Sequence, residues 1–443
     1  MKSIRNLYFS TLFWATIIAL VLLFIAAYVF PILFWFIKLA FVLFCVAVVL
    51  DAVLLYRSKE GIFARRDAPD RLSNGDSNPI VIYLQNNYSF KTFLEIVDEI
   101  PHQFQKRDVL FEAQLLSNEN QQLRYELRPT KRGEYSFGAV NVFVKSPIRL
   151  LKRRYQFSQD KMVAVYPSFI QMKQFELLAI SNRLTDYGIK KIRRIGHSME
   201  FEQIRNYVQG DDVRTVNWKA TARRDTLMVN AYQDERSQGI YCLIDKGRVM
   251  RSPFEGLTLL DYAINASLVL SNIALLKQDK AGVVTFSDVM GQLLPAERKS
   301  GQLQKIMDIL YKQKTRYLET DYETLYANVK THIRQRSLLL LFTNFETLSG
   351  LQRQLPFLRR LAKEHLLIVV FFENTETSAL LKEPSKNVEQ IYMKTIAERF
   401  YYEKRRIVRE LQQYGIQSIL TAPKDLNANT VNKYLELKAR GMI

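Results

Sequence analysis

The side chains most able to do chemistry are carboxylates that lie beside one another or follow apolar runs. Asp211 and Asp212 are adjacent, and two carboxylates can hold a metal ion or divide acid–base work between them. Adjacent residues point in different directions, however, and Arg205, Arg214 and Arg223 are better ion-pair partners for them. The pattern therefore favours an ion-pair and aromatic latch over a catalytic centre.

A second set of carboxylates lies after apolar runs of strand type. Asp245 follows the run 240–244, and Asp288 lies two residues after the run 281–286. Ligands of open α/β sheets bind beyond the carboxyl ends of the strands. One hypothesis is therefore a divalent-metal site, enzymatic or ligand-binding, built from Asp245, Asp261 or Asp288.

The motifs of the common nucleotide and hydrolase sites are missing from this sequence. It contains no G-x-x-x-x-G-K-[ST], no G-x-G-x-x-G after a strand and no G-x-S-x-G. An ATPase, a dinucleotide oxidoreductase and an α/β-hydrolase are all disfavoured. Cys45, Cys242 and four scattered histidines are too few for a disulfide framework and argue against a Cys/His zinc site.

Strand and helix patterns alternate through the C-terminal half. Apolar strand runs lie at 240–244, 281–286, 337–342, 366–372 and 416–420. Helical spacing of apolar residues lies near 257–276, 303–310, 351–362 and 388–413. Continuous apolar strands separated by helices predict a parallel sheet covered on both faces. We expect a doubly wound α/β domain over 239–443.

The sequence of the middle of the chain predicts short strands separated by polar segments. Alternating or apolar runs at 79–84, 123–127 and 139–144 predict a small β-sandwich-like domain over 76–167. No chemistry is evident in it, and a spacer or interaction platform is its simplest interpretation. The segment 168–238 is assigned as a linker and a dense polar block, the latter at 196–235.

The N-terminal 56 residues predict a transmembrane helical hairpin. An almost wholly apolar run from Leu7 to Tyr56 is roughly twice the 20 or so residues that one span needs, and Pro31 lies near its middle. We predict spans near 9–30 and 33–55, followed by a basic juxtamembrane linker over 57–75. Basic residues flank both outer ends, so the soluble part should face the cytoplasm from the inner membrane.

The chain is strongly basic, with 63 Lys and Arg against 44 Asp and Glu, a formal net charge of +19. Three partners would suit this charge: anionic lipid headgroups below the anchor, nucleic acid, or an acidic protein. No nucleic-acid motif supports the second. We therefore expect membrane and protein partners and no nucleic acid.

The polar block, together with RPTKRGEY at 128–135, resembles the uncharacterised bacterial family called domain of unknown function 58. The residues that carry this signature, as partner-binding or structural positions, are Glu200, Arg205, Tyr207, Gly210, Asp211, Asp212, Arg214, Asn217, Trp218, Lys219, Arg223 and Glu235. The resemblance implies two membrane helices, a β-region and a von Willebrand factor A-like α/β domain. It also implies a MoxR-type AAA+ ATPase as partner and no defined enzymatic activity.

The A-type fold implied by the resemblance often holds Mg²⁺ through Asp-x-Ser-x-Ser, a later Thr and a later Asp. Asp245 matches the first position, but Gly247 and Val249 stand in place of the serines. Thr320 and Asn344 are the candidates for the two later positions. A missing protein ligand in such a site leaves room for a partner's carboxylate. Here the site is degenerate, and no cofactor is expected.

The function we expect is that of a membrane-anchored adaptor or scaffold, not an enzyme. It would bind a protein partner, an AAA+ ATPase by the resemblance, in the assembly or activation of other complexes. The polar block and the loops around Asp245 and Asn344 are the expected contact surface. A divalent-metal-dependent enzyme or metal-mediated binding protein remains the alternative.

Overall fold

The computed structural model describes residues 6–30, 32–58, 60–106, 110–180, 200–209, 211, 213–233, 237–382, 384 and 387–443. The chain divides into two compact units, Met1–Tyr166 and Pro167–Ile443. The first unit contains the apolar helices and the β-rich domain. The second contains the polar block and the α/β sheet.

Two apolar helices open the first unit, α1 (Thr11–Val29) and α2 (Leu33–Arg57). Most of their large apolar side chains are exposed, Trp35 to 76%, and this indicates association with a membrane. The two predicted spans are confirmed as helices, and α2 extends two residues beyond the predicted end. By length and composition, one further helix among the described residues could cross a membrane, Leu259–Leu276, but 83% of it is buried within its own unit.

The rest of the first unit is built from short strands. They are β1 (Leu7–Phe9), β2 (Ile62–Asp67), β3 (Arg71–Ser73), β4 (Asn78–Asn86), β5 (Thr92–Asp98), β6 (Leu110–Leu115), β7 (Asn120–Leu127), β8 (Gly133–Phe137), β9 (Val140–Lys145), β10 (Leu151–Phe157) and β11 (Lys161–Tyr166). They form sheets of order β1-β10-β9-β5-β6, β2-β4-β7 and β3-β11-β8. A β-rich domain is thus present, as predicted, but it starts before residue 76. The segment 57–75, which we predicted as a linker, contains β2 and β3, because its backbone pairs with strands further along the chain.

Alternation of side chains produces the sandwich core. On β4, Ile80, Ile82 and Leu84 are buried while their neighbours face outward, as a strand with one buried face requires. Ile82 and Leu84 pack in one cluster with residues of β5 and β9, such as Ile96 and Val142. The sheet containing β4 therefore packs face to face on the sheet containing β5 and β9.

The second unit begins with α3 (Phe169–Ile180), which packs against a central helix described below. A hairpin follows, formed by β12 (Glu200–Asn206) and β13 (Met228–Gln233), with the short helix α4 (Trp218–Arg224) between its strands. The segment 168–238, which we predicted as a linker and polar block, thus contains regular structure.

A six-stranded sheet forms the centre of this unit. The strands from residue 239 onward are β14 (Gly239–Asp245), β15 (Pro253–Phe254), β16 (Leu257–Thr258), β17 (Lys280–Phe286), β18 (Met290–Glu297), β19 (Leu338–Phe342), β20 (Leu366–Phe372) and β21 (Gln417–Thr421). Of these, β15 and β16 pair only with each other, and the other six form the sheet. The order in the sheet is β18-β17-β14-β19-β20-β21, and all pairs are parallel except β17 with β18. The predicted sheet is correct apart from this antiparallel edge.

Helices cover both faces of the sheet. They are α5 (Leu259–Leu276), α6 (Gln302–Tyr311), α7 (Tyr322–His332), α8 (Leu348–Glu364), α9 (Thr375–Lys382), α10 (Val388–Gln413) and α11 (Leu426–Ala439). One apolar cluster joins the sheet to α3, α5, α6 and α11, and another joins it to α7, α8 and α10. The prediction of an α/β sheet covered on both faces is confirmed.

Candidate functional site

Asp245 ends β14, the strand at the middle of the sheet, and its side chain is fully buried. One carboxylate oxygen accepts hydrogen bonds from the Gly247 N–H at 2.7 Å and from the Thr320 hydroxyl at 2.6 Å. The other accepts from the Thr343 hydroxyl at 2.7 Å. Burial raises the pKa of Asp245, and these three hydrogen bonds oppose the rise. Asp245 is therefore held by backbone and hydroxyl donors rather than by Arg248, which binds Glu319 instead.

The space beside Asp245 explains why glycine suits position 247. A Cβ atom built on Gly247 would collide with Oγ1 of Thr320. A serine here would therefore displace the threonine hydroxyl from Asp245. The sequence resemblance paired Asp245 with Thr320, and the structure brings these two side chains together.

Asn344, the other candidate ligand, is engaged by an ammonium group. Its Oδ1 accepts a hydrogen bond of 2.7 Å from Nζ of Lys404 on α10. Burial lowers the pKa of Lys404 to about 8, and the nearby Glu346 opposes this shift. A cationic group thus occupies the amide oxygen that the degenerate motif retains at Asn344.

The oxygens of the candidate metal ligands are engaged by donors of the chain itself. Mg²⁺ requires oxygen ligands in near-octahedral geometry, whereas Asp245 is bound by three donors and Asn344 by an ammonium. Asp261 and Asp288 are also engaged, since Asp261 closes the capping box of α5 with Thr258 and Asp288 pairs with Arg316 at 2.9 Å. The structure brings neither Asp261 nor Asp288 into hydrogen-bonding contact with Asp245.

Two cavities lie at the carboxyl ends of the strands. One of 190 Å³ is lined by Asp245, Thr320 and Thr343. The other, of 320 Å³, has Lys404 in its wall, and its lining includes the aromatic side chains of Phe254, Phe372, Phe400 and Tyr401. Asn344 and Glu346 line both. The strand ends therefore form a cleft in the place where such folds bind ligands.

The polar block is fastened by an ion pair. Nη2 of Arg205 on β12 lies 2.6 Å from Oδ1 of Asp211, and Oδ2 of Asp211 accepts from the Val208 N–H at 2.9 Å. The hydrogen bond from Arg205 lowers the pKa of Asp211, as does the bond from Val208. The expected ion pair between these two residues is confirmed.

Asn217 has a structural role at the start of α4. Its Oδ1 accepts from the Ala220 N–H at 3.0 Å, which caps the helix, and its Nδ2 donates to Asn230 on β13 at 2.8 Å. Tyr207 is also fixed to the turn, through its backbone N–H to the Leu227 carbonyl at 2.8 Å. The turn between the strands is thus held to the hairpin at both ends.

Trp218 does not form the aromatic part of a latch. It is 70% exposed, and the large apolar side chains of Val208, Val213 and Leu227 in the same turn are exposed as well. The expectation of an aromatic latch was wrong at Trp218, because most of this side chain is left exposed.

Three cations lie on the same short helix as Trp218. Lys219 and Arg223, spaced i and i+4 on α4, are exposed and line a groove of 420 Å³ together with Arg224. Within the part of the chain that the structure describes, neither Lys219 nor Arg223 has an acidic partner. Arg214 is exposed too.

For the remaining signature residues the structure gives a backbone position or no description. The backbone of Glu200 pairs with Gln233 across the hairpin. Gly210, Asp212 and Glu235 lie outside the described residues.

Sequence reasoning missed Lys404 because it lies in the charge run Lys404-Arg405-Arg406. The spacing of residues along α10 could have indicated that Lys404 lies on the buried face of the helix. Ala397, Lys404 and Leu411 are seven residues apart and share one face of α10, and the other two are buried. A lysine on the buried face of an amphipathic helix is a candidate for a special environment.

Comparison with known proteins gives a family for part of the chain. Residues 203–389 match the family described as "Protein of unknown function DUF58". The uncharacterized protein YeaD of Bacillus subtilis (strain 168) is 30% identical over 126 residues, which is 28% of this chain and 31% of YeaD. The aligned segment thus spans less than a third of that curated relative.

Likenesses to solved structures are weak. The CARDB domain of PF1109 from Pyrococcus furiosus has a TM-score of 0.17 and 14% identity, over 24% of this chain and 86% of that one. Proximal thread matrix protein 1 from the mussel byssus has a TM-score of 0.27 and 10% identity, over 44% of this chain and 45% of that one. At these TM-scores neither likeness carries an argument.

The matched segment contains most of the hairpin, Asp245, Thr320 and Asn344, but not Lys404. The match over 203–389 therefore supports the resemblance to the DUF58 family, a family of unknown function, that the signature residues suggested.

Proposed function

We propose that this protein is a membrane-anchored adaptor or scaffold whose second unit binds a protein partner. By the family resemblance, the partner is an AAA+ ATPase of the MoxR type, and the α/β unit is von Willebrand factor A-like. The folded part faces the cytoplasm. The mixed sheet with a cleft at its strand ends supports the proposed fold relationship.

The observation that carries this proposal is the exposure of Trp218. Exposed tryptophan is costly in water, and tryptophan and arginine are the residue types most enriched among interface hot spots. Here the ring projects from a helix fixed by the Asn217 cap and lies next to Lys219 in the sequence. A rigidly presented aromatic ring with neighbouring cations suits an acidic protein surface that has an apolar pocket.

The donor arrangement at the strand ends favours binding that needs no metal. Asp245 and Asn344 are both engaged by groups of this chain. A partner contact at this cleft would therefore depend on Lys404 and the loop side chains, and it should persist when divalent ions are removed.

The proposal is tested by purifying the full-length tagged protein from its own membranes and identifying bound proteins by mass spectrometry, with and without an ATP analogue. Recovery of an AAA+ ATPase is the expected result. Trp218→Ala should lower recovery at least tenfold, because truncating a hot-spot tryptophan costs about 2 kcal/mol or more. Leu116→Ala, which removes an exposed apolar side chain of the β-rich unit, is the matched control and should change nothing.

A second arm separates the adaptor from a metal-mediated binder. In nucleotide-free buffer, recovery of the ATPase should be the same with and without a chelator. Loss of binding on chelation, from a protein that stays folded, would contradict a metal-free adaptor. An intact, monodisperse bait that recovers no protein would contradict the adaptor proposal as a whole.

A further inference from the structure

The end of α2 is built into the β-rich domain through Asp51. This side chain is fully buried. One oxygen accepts a hydrogen bond from the Ser146 hydroxyl, and the other accepts from the backbone N–H groups of Leu150 and Leu151 at 2.9 and 2.8 Å. The loop 146–150, which joins β9 to β10, is thereby fixed to the second apolar helix.

The same loop is fixed to the start of α1. Ser10, the N-cap of α1, donates from its hydroxyl to the Arg149 carbonyl at 2.6 Å and from its N–H to the Leu150 carbonyl at 3.0 Å. A span needs about 20 residues to cross the hydrocarbon core, and α1 has 19. The first turn of α1 therefore lies at the membrane boundary, and Arg149 lies beside it.

Aromatic side chains independently indicate that the first turn of α1 lies at the membrane boundary. The rings of Phe9 and Phe13 stack at 4.2 Å, and Trp14 meets both edge-on at 5.9 and 5.7 Å. Phe9 and Trp14 are about half exposed. Aromatic belts of this kind occur where a span leaves the hydrocarbon core.

Two cations beside the membrane boundary lie over the ring of Phe93. The Arg149 guanidinium lies 3.6 Å from the centre of the Phe93 ring, and Lys91 Nζ lies 5.3 Å from it. Both cations are exposed, and neither has an acidic partner within the described ranges. Arg149 also has a φ of 62°, a conformation uncommon for a residue other than glycine.

The neighbouring basic residues are already neutralised or bonded. Lys152 pairs with Glu95 at 2.6 Å. Arg153 donates to the Leu55 and Ser58 carbonyls at 2.5 and 2.7 Å. The run 152–154, the most basic stretch in this region by sequence, is therefore largely structural, whereas the two cations on Phe93 are open to a ligand.

We propose that Lys91, Phe93 and Arg149 form a headgroup site for an anionic phospholipid at the membrane boundary. The lipid phosphate would bind the two cations, and its acyl chains would enter the bilayer beside the aromatic cluster of α1. This inference rests on the membrane anchorage in the proposed function and adds the class of lipid and the residues that bind it.

Trp14 provides a reporter within the site. Full-length protein carrying Trp35→Phe and Trp218→Phe keeps Trp14 alone of the three tryptophans. It is reconstituted in mixtures of phosphatidylcholine with brominated phosphatidylglycerol, and in the converse mixtures. Quenching of Trp14 then gives the relative affinity for the anionic lipid. We expect a preference of about fivefold or more, since a basic residue near an anionic surface contributes on the order of a fivefold gain.

The double variant Lys91→Gln/Arg149→Gln should abolish this preference, and Lys91→Arg/Arg149→Lys should retain it. Lys152→Gln, on a lysine already paired with Glu95, is the matched control and should leave the preference unchanged. Free glycerol phosphate at millimolar concentration should not reduce it, because the site binds a headgroup held in the membrane.

Either of two results would contradict the proposed lipid site. One is equal affinity for both lipids in the parent protein, and the other is a preference for the anionic lipid that survives in Lys91→Gln/Arg149→Gln. Competition by free glycerol phosphate would show a soluble anion site instead. Failure of membrane anchorage is distinguishable from these outcomes, because Trp14 would then be quenched by neither brominated lipid.

Discussion

Among single residues, Asp245 makes the clearest stability prediction. Asp245→Ala leaves the Gly247 N–H and the Thr320 and Thr343 hydroxyls without their acceptor inside the sheet edge. Unsatisfied buried polar groups cost about 1–3 kcal/mol each, so the variant should lose about 3 kcal/mol or more of unfolding free energy. Denaturant unfolding of the full chain measures this loss. Asp288→Ala, at a surface ion pair, is the control and should cost less than about 1 kcal/mol; equal losses would contradict the structural role of Asp245.

Lys404 makes a prediction about pH. Its pKa is about 8 in the folded chain and has an ordinary value of 10.5 when unfolded. Between these values the unfolded chain binds more protons than the folded chain, so the contribution of Lys404 to stability rises with pH over this window. Unfolding free energies of the parent and of Lys404→Met, measured from pH 7 to 10, should therefore diverge in favour of the parent as pH rises. A constant difference across this range would contradict the lowered pKa.

Residue identity predicted part of this site and not the rest. The family resemblance paired Thr320 with Asp245, and the two side chains are hydrogen-bonded in the structure. It could not predict Lys404, since the motif includes no lysine that contacts Asn344. The exposure of Trp218 was also beyond the sequence, because an aromatic residue in a polar block reads equally well as buried or as presented to a partner.

Elements with strong apolar patterns were predictable, and weakly patterned ones were not. The boundaries of α10 at 388–413 and of β20 at 366–372 agree with the prediction. α11 was missed, since its sequence LNANTVNKYLELKA is rich in asparagine, which disfavours helix, and burial of residues such as Tyr434 and Leu437 stabilises it instead. β18 was missed because it contains a glycine and a proline, which are tolerated at a sheet edge.

The hairpin element makes a prediction through its helix cap. Asn217→Ala removes the cap of α4 and the bond to Asn230, and loss of a cap costs about 1 kcal/mol. A seven-residue helix has little other support. Amides 220–224 should therefore exchange with solvent faster, and partner recovery should fall although Trp218 is unchanged.

Asn217→Asp keeps the capping oxygen and is the matched control for that experiment. Hydrogen exchange at 220–224 should be close to that of the parent, and partner recovery should be retained. If both variants bind partner as the parent does, the ordered presentation of Trp218 is not needed for binding.

For the whole molecule, net charge is a poor guide to which cations are available. Arg66, one of the basic residues that follow the second span, is buried and pairs with Asp98 at 2.5 Å. Arg153 likewise bonds to carbonyls at the end of α2. The predicted cytoplasmic orientation of the folded part therefore depends on the flanking basic residues that remain exposed, such as Arg57 and Arg65. This orientation needs a direct test.

A cysteine-labelling experiment tests this orientation. Burial raises the pKa of the Cys242 thiol to about 12, and since the thiolate is the reactive form, Cys242 should stay unlabelled without replacement. In a Cys45→Ala background, Gln122→Cys places a thiol at an exposed position on β7, and Ile32→Cys places one in the exposed connection between the two spans. If the folded part faces the cytoplasm, a membrane-impermeant maleimide should label position 32 in intact spheroplasts and position 122 only after permeabilisation. The opposite pattern would place the β-rich domain outside, and a cytosolic ATPase could not then be its partner.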